Sequence, residues 1–278
     1  VLLVTKDLGG GEFYQLYTLA NGSLNLLTDG KSRNEFGSWD REGRLIGYSS
    51  TRRNGADSDL YVVDPRDPKT NRLVAQVKGG GWGITDFAPG GAQAGGLEYI
   101  SFSNSNAYLL DVPGGELGPI GNHKKPIAYG NLKCAPDGTL WTTSDEGSDV
   151  QRLGRLDPSS GKFTPVSPAT RWDVEEFEIS KDGRTIAYTL NEAGSSKLVL
   201  LDVPSGQTRR AASLPMGQVF GLEFAPWGTL GFSMVSAKSP TDAYSLDPGS
   251  LNVTRWTESE TGGLDPNLNV EPELIEVK

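Results

Sequence analysis

Three groups of side chains have the types and spacing for binding chemistry. Glu175 and Glu176 are adjacent carboxylates, and such a pair can hold a ligand ammonium group through charge-assisted hydrogen bonds. Arg52 and Arg53 are adjacent guanidinium groups that could clamp a peptide carboxylate or contact another domain. Trp172 stands at the start of the predicted strand that carries the two glutamates. These five residues form our candidate substrate-binding or interdomain set.

Each group also has a structural interpretation, which is the stronger one from sequence alone. Adjacent residues of a strand face opposite sides of a sheet, so Glu175 and Glu176 would be solvated or channel-facing rather than one chelating pair. Arg52 and Arg53 fall in a predicted loop, where arginines are usually exposed to solvent. Trp172 would pack between neighbouring sheets.

The sequence predicts no catalytic centre within this chain. His123 is the only histidine and Cys134 the only cysteine. A Ser-His-Asp triad needs an imidazole beside its serine, and we interpret His123 as a surface-loop residue. One cysteine can form neither an internal disulfide nor a thiolate zinc cluster. No Gly-x-Ser-x-Gly nucleophile elbow occurs. We therefore expect no catalytic residue, metal or cofactor here.

Composition restricts the partners. The 278 residues carry a formal net charge of −9, which repels phosphates and argues against a nucleic-acid partner. No run of 18 apolar residues is present, so we expect no membrane partner. No basic-then-apolar leader is visible either. The sequence does not decide the compartment, although it favours the cytoplasm slightly over the periplasm.

A glycine turn after a short apolar strand recurs along the chain. An Asp-Gly or similar pair at such a place forms a hairpin turn, because Asp bonds its own backbone and Gly takes a positive φ. The steps between successive copies are 48, 47, 45 and 45 residues. The turn glycines are Gly43, Gly91, Gly138, Gly183 and Gly228.

A second anchor, an aspartate that ends a later strand, keeps the same period. From Ala20, which replaces the aspartate in an earlier copy, the steps are 44, 47, 46, 45 and 45 residues. A period of 40–50 residues with strand-rich segments is typical of propeller blades. The anchor aspartates are Asp64, Asp111, Asp157, Asp202 and Asp247.

The repeats predict an all-β propeller of four-stranded blades, with strands a to d in chain order. Six blade repeats are visible, and the first is incomplete because it shows only strands b, c and d. We assign residues 1–258 to the propeller. Residues 259–278 are predicted to be either a linker or a closing strand, with residues 274–277 as the strand candidate.

Several segments, taken in order, carry a family resemblance: residues 11–17 (GEFYQLY), 48–55 (YSSTRRNG), 172–175 (WDVE), 187–194 (AYTLNEAG), 254–260 (TRWTESE) and 270–274 (VEPEL). Together they resemble the N-terminal propeller of bacterial prolyl-oligopeptidase-family serine peptidases, the S9 group with acylaminoacyl and dipeptidyl peptidases. The resemblance covers nearly the whole chain.

The resemblance implies a non-catalytic domain that covers an α/β-hydrolase active site and admits only short peptides. Its implied partners are the protein's own C-terminal hydrolase domain and short peptides, and the whole protein would be a serine-type peptidase. The chain departs from the family by stopping where the hydrolase would begin. Family propellers commonly have seven blades, so a missing upstream segment would explain the six copies. Glu175 and Glu176 invite comparison with the family's substrate-gripping glutamates, although their local setting differs.

Two other functions remain open. One is a stand-alone interaction scaffold resembling the TolB propeller. The other, a self-contained lactonase-like or sialidase-like propeller enzyme, would need a metal set or an arginine cluster with a tyrosine nucleophile, and neither occurs at convincing spacing. The sequence downstream of Lys278 would separate the peptidase domain from the scaffold.

Overall fold

The computed structural model describes residues 1–211 and 214–275. Within this part of the chain the strands form six antiparallel sheets, the first with three strands and the other five with four. The fold is therefore an all-β propeller of six blades with an incomplete first blade, as the repeats predict. Whether these blades belong to a seven-bladed propeller stays a prediction.

The chain divides into two compact units, residues 1–146 with 155–164 and residues 147–154 with 165–278. Blades 1 to 3 lie in the first unit and blades 5 and 6 lie in the second, whereas the boundary falls within blade 4.

The strands of the first three blades follow one another along the chain. Blade 1 consists of β1 (Leu2–Lys6), β2 (Gln15–Ala20) and β3 (Ser23–Leu26). Blade 2 consists of β4 (Asn34–Trp39), β5 (Ile46–Ser50), β6 (Asp59–Asp64) and β7 (Asp67–Ala75). Blade 3 consists of β8 (Trp82–Phe87), β9 (Gln93–Ser101), β10 (Asn104–Asp111) and β11 (Leu117–Ile120).

The last three blades repeat this order. Blade 4 consists of β12 (Lys133–Cys134), β13 (Leu140–Ser144), β14 (Arg152–Leu156) and β15 (Phe163–Pro165). Blade 5 consists of β16 (Val174–Ile179), β17 (Thr185–Glu192), β18 (Ser195–Asp202) and β19 (Thr208–Arg210). Blade 6 consists of β20 (Gln218–Phe224), β21 (Leu230–Ser236), β22 (Ser239–Leu246) and β23 (Val253–Arg255).

The two sequence anchors mark two of the three turns of a four-stranded blade, the a–b turn and the c–d turn. All five anchor glycines have φ between 64° and 95°, a conformation that L side chains rarely adopt. At the c–d turn the anchor aspartate caps the chain: Asp157 Oδ1, for example, accepts from the N–H groups of Ser159 and Ser160 at 2.8 and 3.1 Å. Both anchors recur because each turn needs its particular residue.

Blade 1 shows why its c–d anchor can be an alanine. Ala20 is followed by Asn21 and Gly22, whose φ angles are 50° and 75°. Two consecutive positive φ angles form a tight hairpin loop that needs no aspartate cap, and Asn-Gly is the pair that adopts it most readily. β2 and β3 therefore pair directly, with Ala20 opposite Ser23.

The core is a series of clusters between successive blades rather than one centre. In the first unit, Leu60 and Val62 of blade 2 pack with Ile84 and Phe87 of blade 3. In the second unit, Leu198 and related residues of blade 5 pack with blade 6. β18 is buried on both faces, as its continuous apolar run predicts.

Most of the described residues after blade 6 are exposed. A short 3₁₀ helix, Pro266–Leu268, begins at the cap residue Asp265, and Leu274 and Ile275 are exposed. Residues 259–275 form no strand, and Glu276–Lys278 lie outside the described residues. The alternative between a linker and a closing strand therefore stays a prediction.

Candidate functional site

Arg52 and Arg53 lie in the b–c loop of blade 2, where the sequence places them. Arg53 Nε and Nη2 bind Asp59 Oδ2 and Oδ1 at 2.6 and 3.0 Å, and Nη2 also binds Asp57 Oδ2 at 2.8 Å. Asp59 is completely buried. The hydrogen bond to Asp59, opposed only partly by burial, raises the pKa of the Arg53 guanidinium. Arg53 thus pairs with two aspartates of its own blade, and a role in binding a peptide carboxylate or another domain stays a prediction.

Arg52 is engaged differently. Its guanidinium carbon lies 3.6 Å from the ring centroid of Tyr61, within cation–π distance. Arg52 Nη2 also donates to Asn71 Oδ1 at 2.7 Å, and the Tyr48 hydroxyl donates to the same oxygen at 2.8 Å. Burial raises the pKa of Tyr48 to about 12. A peptide carboxylate would have to bind Arg52 beside these contacts, so the predicted clamp stays a prediction.

Trp172, Glu175 and Glu176 belong to blade 5. β16 pairs with β17 through a register shift between Val174 and Phe177, so the two glutamates lie in a β-bulge. Strict alternation of side chains, the basis of the sequence interpretation, does not hold at a bulge. Trp172 lies under the guanidinium of Arg171, whose Cζ is 4.9 Å from the ring centroid.

The two glutamates bind different partners within this unit. Glu175 Oε1 accepts from Asn191 Nδ2 at 2.7 Å on the neighbouring strand. Glu176 Oε1 and Oε2 accept from the main-chain N–H groups of Leu222 and Gly221 at 2.8 and 3.0 Å. Those two residues form the bulge of β20 in blade 6. Glu176 thus ties two blades together, and a joint grip on a ligand ammonium stays a prediction.

Asp86 and His123, two titratable residues of the first unit, bond to main-chain groups. Asp86 Oδ2 accepts from the Cys134 N–H at 2.8 Å, and burial raises the pKa of Asp86. Burial and then the Asp86 charge raise the pKa of the Cys134 thiol to about 12, so the thiol is protonated and unreactive at neutral pH. His123 Nε2 lies 2.9 Å from the Ile120 carbonyl oxygen.

A cleft of about 440 Å³ in the first unit escaped sequence reasoning. Its lining combines three aromatic residues with a carboxylate and the hydroxyl-bearing residues serine and threonine. The residues concerned are Glu35, Phe36, Ser49, Trp82, Thr85 and Tyr99. Phe36 and Trp82 are 46 residues apart, one repeat, so an aromatic residue recurring near the start of strand a was the available signal.

The Trp82 ring in the cleft is fixed by a hydrogen bond and by a neighbouring aromatic ring. Trp82 Nε1 donates to the Lys78 carbonyl oxygen at 3.1 Å, and its ring lies 5.0 Å from the Tyr108 ring. Tyr108 donates to Glu98 Oε2 at 3.4 Å. Burial and then the Glu98 charge raise the pKa of Tyr108. Trp82 therefore cannot turn freely and presents a fixed face.

A glycine places the remaining ring. Gly81 has a φ of 79°, and a Cβ there would lie 2.3 Å from the Tyr99 carbonyl oxygen. The Tyr99 N–H donates to the Gly81 carbonyl at 2.8 Å, so the backbones touch at this point. The Tyr99 side chain remains 56% exposed at the cleft.

Neither a metal cluster nor a membrane-spanning helix occurs in the described part of the chain. Among residues 1–211 and 214–275, no three His, Cys, Asp or Glu side chains gather closely enough to hold a metal ion. No helix in the same residues has the length and apolar character needed to span a membrane.

No protein-family model and no curated protein sequence matches this chain. Solved structures do match its fold. Puromycin hydrolase superposes with a TM-score of 0.77 at 17% identity, over 98% of this chain and 46% of that protein. The fold is the propeller fold of puromycin hydrolase and the prolyl oligopeptidases. This propeller confirms, at the level of fold, the resemblance carried by the sequence segments.

Two further structures define the range of the likeness. Prolyl oligopeptidase B from Galerina marginata matches with a TM-score of 0.71 at 12% identity, over 95% of this chain and 41% of that protein. TolB from Acinetobacter baumannii matches with a TM-score of 0.67 at 17% identity, over 90% of this chain and 61% of that protein. The chain thus spans less than half the length of puromycin hydrolase and of the prolyl oligopeptidase, and 61% of TolB.

Proposed function

We propose that this chain is the non-catalytic propeller domain of a prolyl-oligopeptidase-family serine peptidase. In this role it admits short peptides to a C-terminal α/β-hydrolase domain and excludes folded proteins. The observation that carries the proposal is the superposition of 98% of this chain on 46% of puromycin hydrolase. The ordered motifs from residue 11 to residue 274 support the same assignment.

The proposed action is steric. Within each unit, clusters of buried apolar side chains join successive blades, and close-packed clusters of this kind resist separation of the blades by a folded domain. Short peptides would pass because they need little space. Opening would be a hinge motion about the linkers that join the propeller to the hydrolase domain.

The first test is the coding sequence after the Lys278 codon. We expect an open frame with a Gly-x-Ser-x-Gly elbow followed by Asp and His codons. The full-length protein should then cleave aminoacyl nitroanilides and short peptides, lose this activity to serine reagents, and leave folded proteins intact. A stop codon after Lys278, or equal cleavage of peptides and folded proteins, would contradict the proposal.

A TolB-like interaction scaffold is the second candidate. The match to TolB from Acinetobacter baumannii over 90% of this chain favours it. In this case the propeller would bind a protein partner and require no hydrolase domain. A stop codon directly after Lys278, with no peptidase activity in the purified chain, would support the scaffold and exclude the gating role.

A further inference from the structure

The cleft of blades 2 and 3 combines two kinds of surface that together favour cations. Phe36, Trp82 and Tyr99 supply aromatic rings, whose faces attract a cation through the ring quadrupole. Glu35 supplies a carboxylate at the same cleft. Among the described residues no cation pairs with Glu35, which is exposed. An exposed carboxylate and aromatic rings that line one cleft both attract a cation.

We propose that this cleft binds the basic side chain of a short peptide, an arginine guanidinium or a lysine ammonium. The cation would lie against Trp82 and Tyr99 and pair with Glu35. The net charge of −9 attracts such a ligand over a longer range.

The hydroxyl groups of Thr85 and Ser49 in the cleft lining favour a ligand with N–H donors over a purely apolar ligand. Thr85 Oγ1 is buried and has no hydrogen-bond partner. A ligand N–H could donate to this oxygen only after the Thr85 side chain turns towards the cleft, whereas an apolar ligand would leave it unsatisfied in either orientation. Ser49, also buried, adds a second hydroxyl to the lining. A guanidinium has enough N–H donors to reach both Glu35 and a hydroxyl.

The geometry is prepared before the ligand arrives. Trp82 is fixed by its bond to the Lys78 carbonyl and by Tyr108 behind it. Tyr99 is placed by its backbone bond to Gly81. Binding therefore costs little ordering of the Trp82 ring, and low ordering cost is the condition under which a small contact area still gives measurable affinity.

The assignment of a peptide as the carrier of the cation rests on the proposed function, whereas the cleft itself belongs to this chain. The test uses the purified chain and two probes, N-acetyl-arginine amide and its neutral counterpart N-acetyl-norleucine amide, in calorimetric titrations. We expect the arginine probe to bind with a Kd on the order of millimolar, and the norleucine probe to bind at least about tenfold more weakly.

Two variants locate the binding. Glu35→Gln should weaken the arginine probe about tenfold, and Tyr99→Ala about fivefold, because each removes one attraction from the cation. Glu116→Gln removes the same charge from an exposed residue outside the cleft and is the matched control, for which we expect no change. Circular dichroism of each variant checks that it is folded.

The outcomes are separable. Equal binding of both probes, equal losses in Glu35→Gln and Glu116→Gln, or no binding of the arginine probe by the folded chain would overturn the inference. Each of these outcomes is independent of the coding sequence after Lys278. A stop codon there would exclude the gating role but would not affect the proposed cation-binding cleft. A downstream hydrolase domain in a protein whose propeller binds no cation would support the gating role and overturn the cleft proposal.

Discussion

Blades 2 and 6 each bury one aspartate at the same position of the repeat, and they neutralise it differently. Asp59 and Asp242 both stand five residues before their c–d anchors, Asp64 and Asp247. Asp59 is 0% and Asp242 2% exposed. Each carboxylate accepts from a main-chain N–H just after strand d: Asp59 Oδ1 from Val77 at 3.0 Å, and Asp242 Oδ1 from Ser259 at 2.8 Å.

The cation comes from a different element in each blade. In blade 2 it is Arg53, which reaches Asp59 from the b–c loop. In blade 6 it is Arg255, which reaches Asp242 from strand d itself. Asp242 also accepts from the hydroxyls of Thr257 and Ser239. Burial alone would raise the pKa of Asp242, but these hydrogen bonds and the Arg255 guanidinium hold it well below its usual range.

At this position of the repeat, the same kind of contact recurs from blade to blade although the residues that make it differ. In blade 1 the same position is Gln15, whose Oε1 accepts from the Gly30 N–H at 3.0 Å. In blade 4 it is Arg152, which donates to the Ser167 carbonyl oxygen. In all four blades this position ties strand c to the chain leaving strand d. Blades 3 and 5 differ, since their Asn106 and Lys197 bond to Glu98 and Ser195 instead.

The largest effect is expected when the buried pair of Asp59 and Arg53 in blade 2 is broken. Asp59→Asn removes the charge that Arg53 and the Val77 N–H share, and leaves a guanidinium without its buried partner. Breaking a buried pair from one side costs about 3 kcal/mol or more, and Arg53 is partly exposed, so we expect a loss of about 3 kcal/mol from the free energy of unfolding. Chemical denaturation of the purified chain measures it.

The matched control for this variant is Glu116→Gln, which removes one negative charge from an exposed residue. It should change the free energy of unfolding by no more than about 0.5 kcal/mol. Equal denaturation midpoints for Asp59→Asn and the control would show that the buried pair does not stabilise blade 2.

A smaller and more local effect is expected in blade 6. Asp242→Asn should release the chain after strand d, because Asp242 holds both Thr257 and the Ser259 N–H. The residues from there to Ile275 are largely exposed, so little else depends on this contact. Hydrogen exchange should show faster exchange at the Ser259 amide, while the amides of β18 in blade 5 stay protected. Unchanged exchange at Ser259 would contradict the role assigned to Asp242.

The same variant carries a pH signature. The pKa of Asp242 is depressed in the folded state, so its stabilising contribution is complete above the ordinary aspartate value of 3.8 and is lost as the pH falls below it. Wild type and Asp242→Asn should therefore differ most in stability at neutral pH and converge in acid. A difference that stays constant down to acid pH would assign the effect to shape instead of charge.

The blades could be predicted from sequence because their turns demand particular residues. A turn with a positive φ selects Gly, and a c–d turn capped by a carboxylate selects Asp, so both leave a regular spacing. The exception, Ala20, is explained by Asn21 and Gly22, which build a different turn. The residue requirements of these turns were therefore enough to predict the blades from sequence.

The candidate site could not be predicted in the same way. The position that ties strand c to the chain after strand d is aspartate in only two blades, Asp59 and Asp242, so it leaves no regular residue spacing. Glu176 meets Gly221 and Leu222 some 45 residues away, at a bulge with no marker in the sequence. The cleft likewise depends on two blades lying side by side.

The smallest expected effect compares the two arginines of the blade 2 loop. Lysine keeps the charge but cannot bind a carboxylate through two parallel N–H groups. Arg53→Lys should lower the denaturation midpoint, because Arg53 holds Asp59 through both Nε and Nη2. Arg52→Lys should lower it less, because Arg52 contributes one hydrogen bond to Asn71 and its contact with the Tyr61 ring.

Titration of both variants with an N-acetyl dipeptide acid and with its amide tests the predicted clamp in addition. If Arg52 binds a peptide carboxylate, Arg52→Lys weakens binding of the acid and leaves binding of the amide unchanged, whereas equal binding changes for the two ligands would leave Arg52 only its contacts with Asn71 and Tyr61.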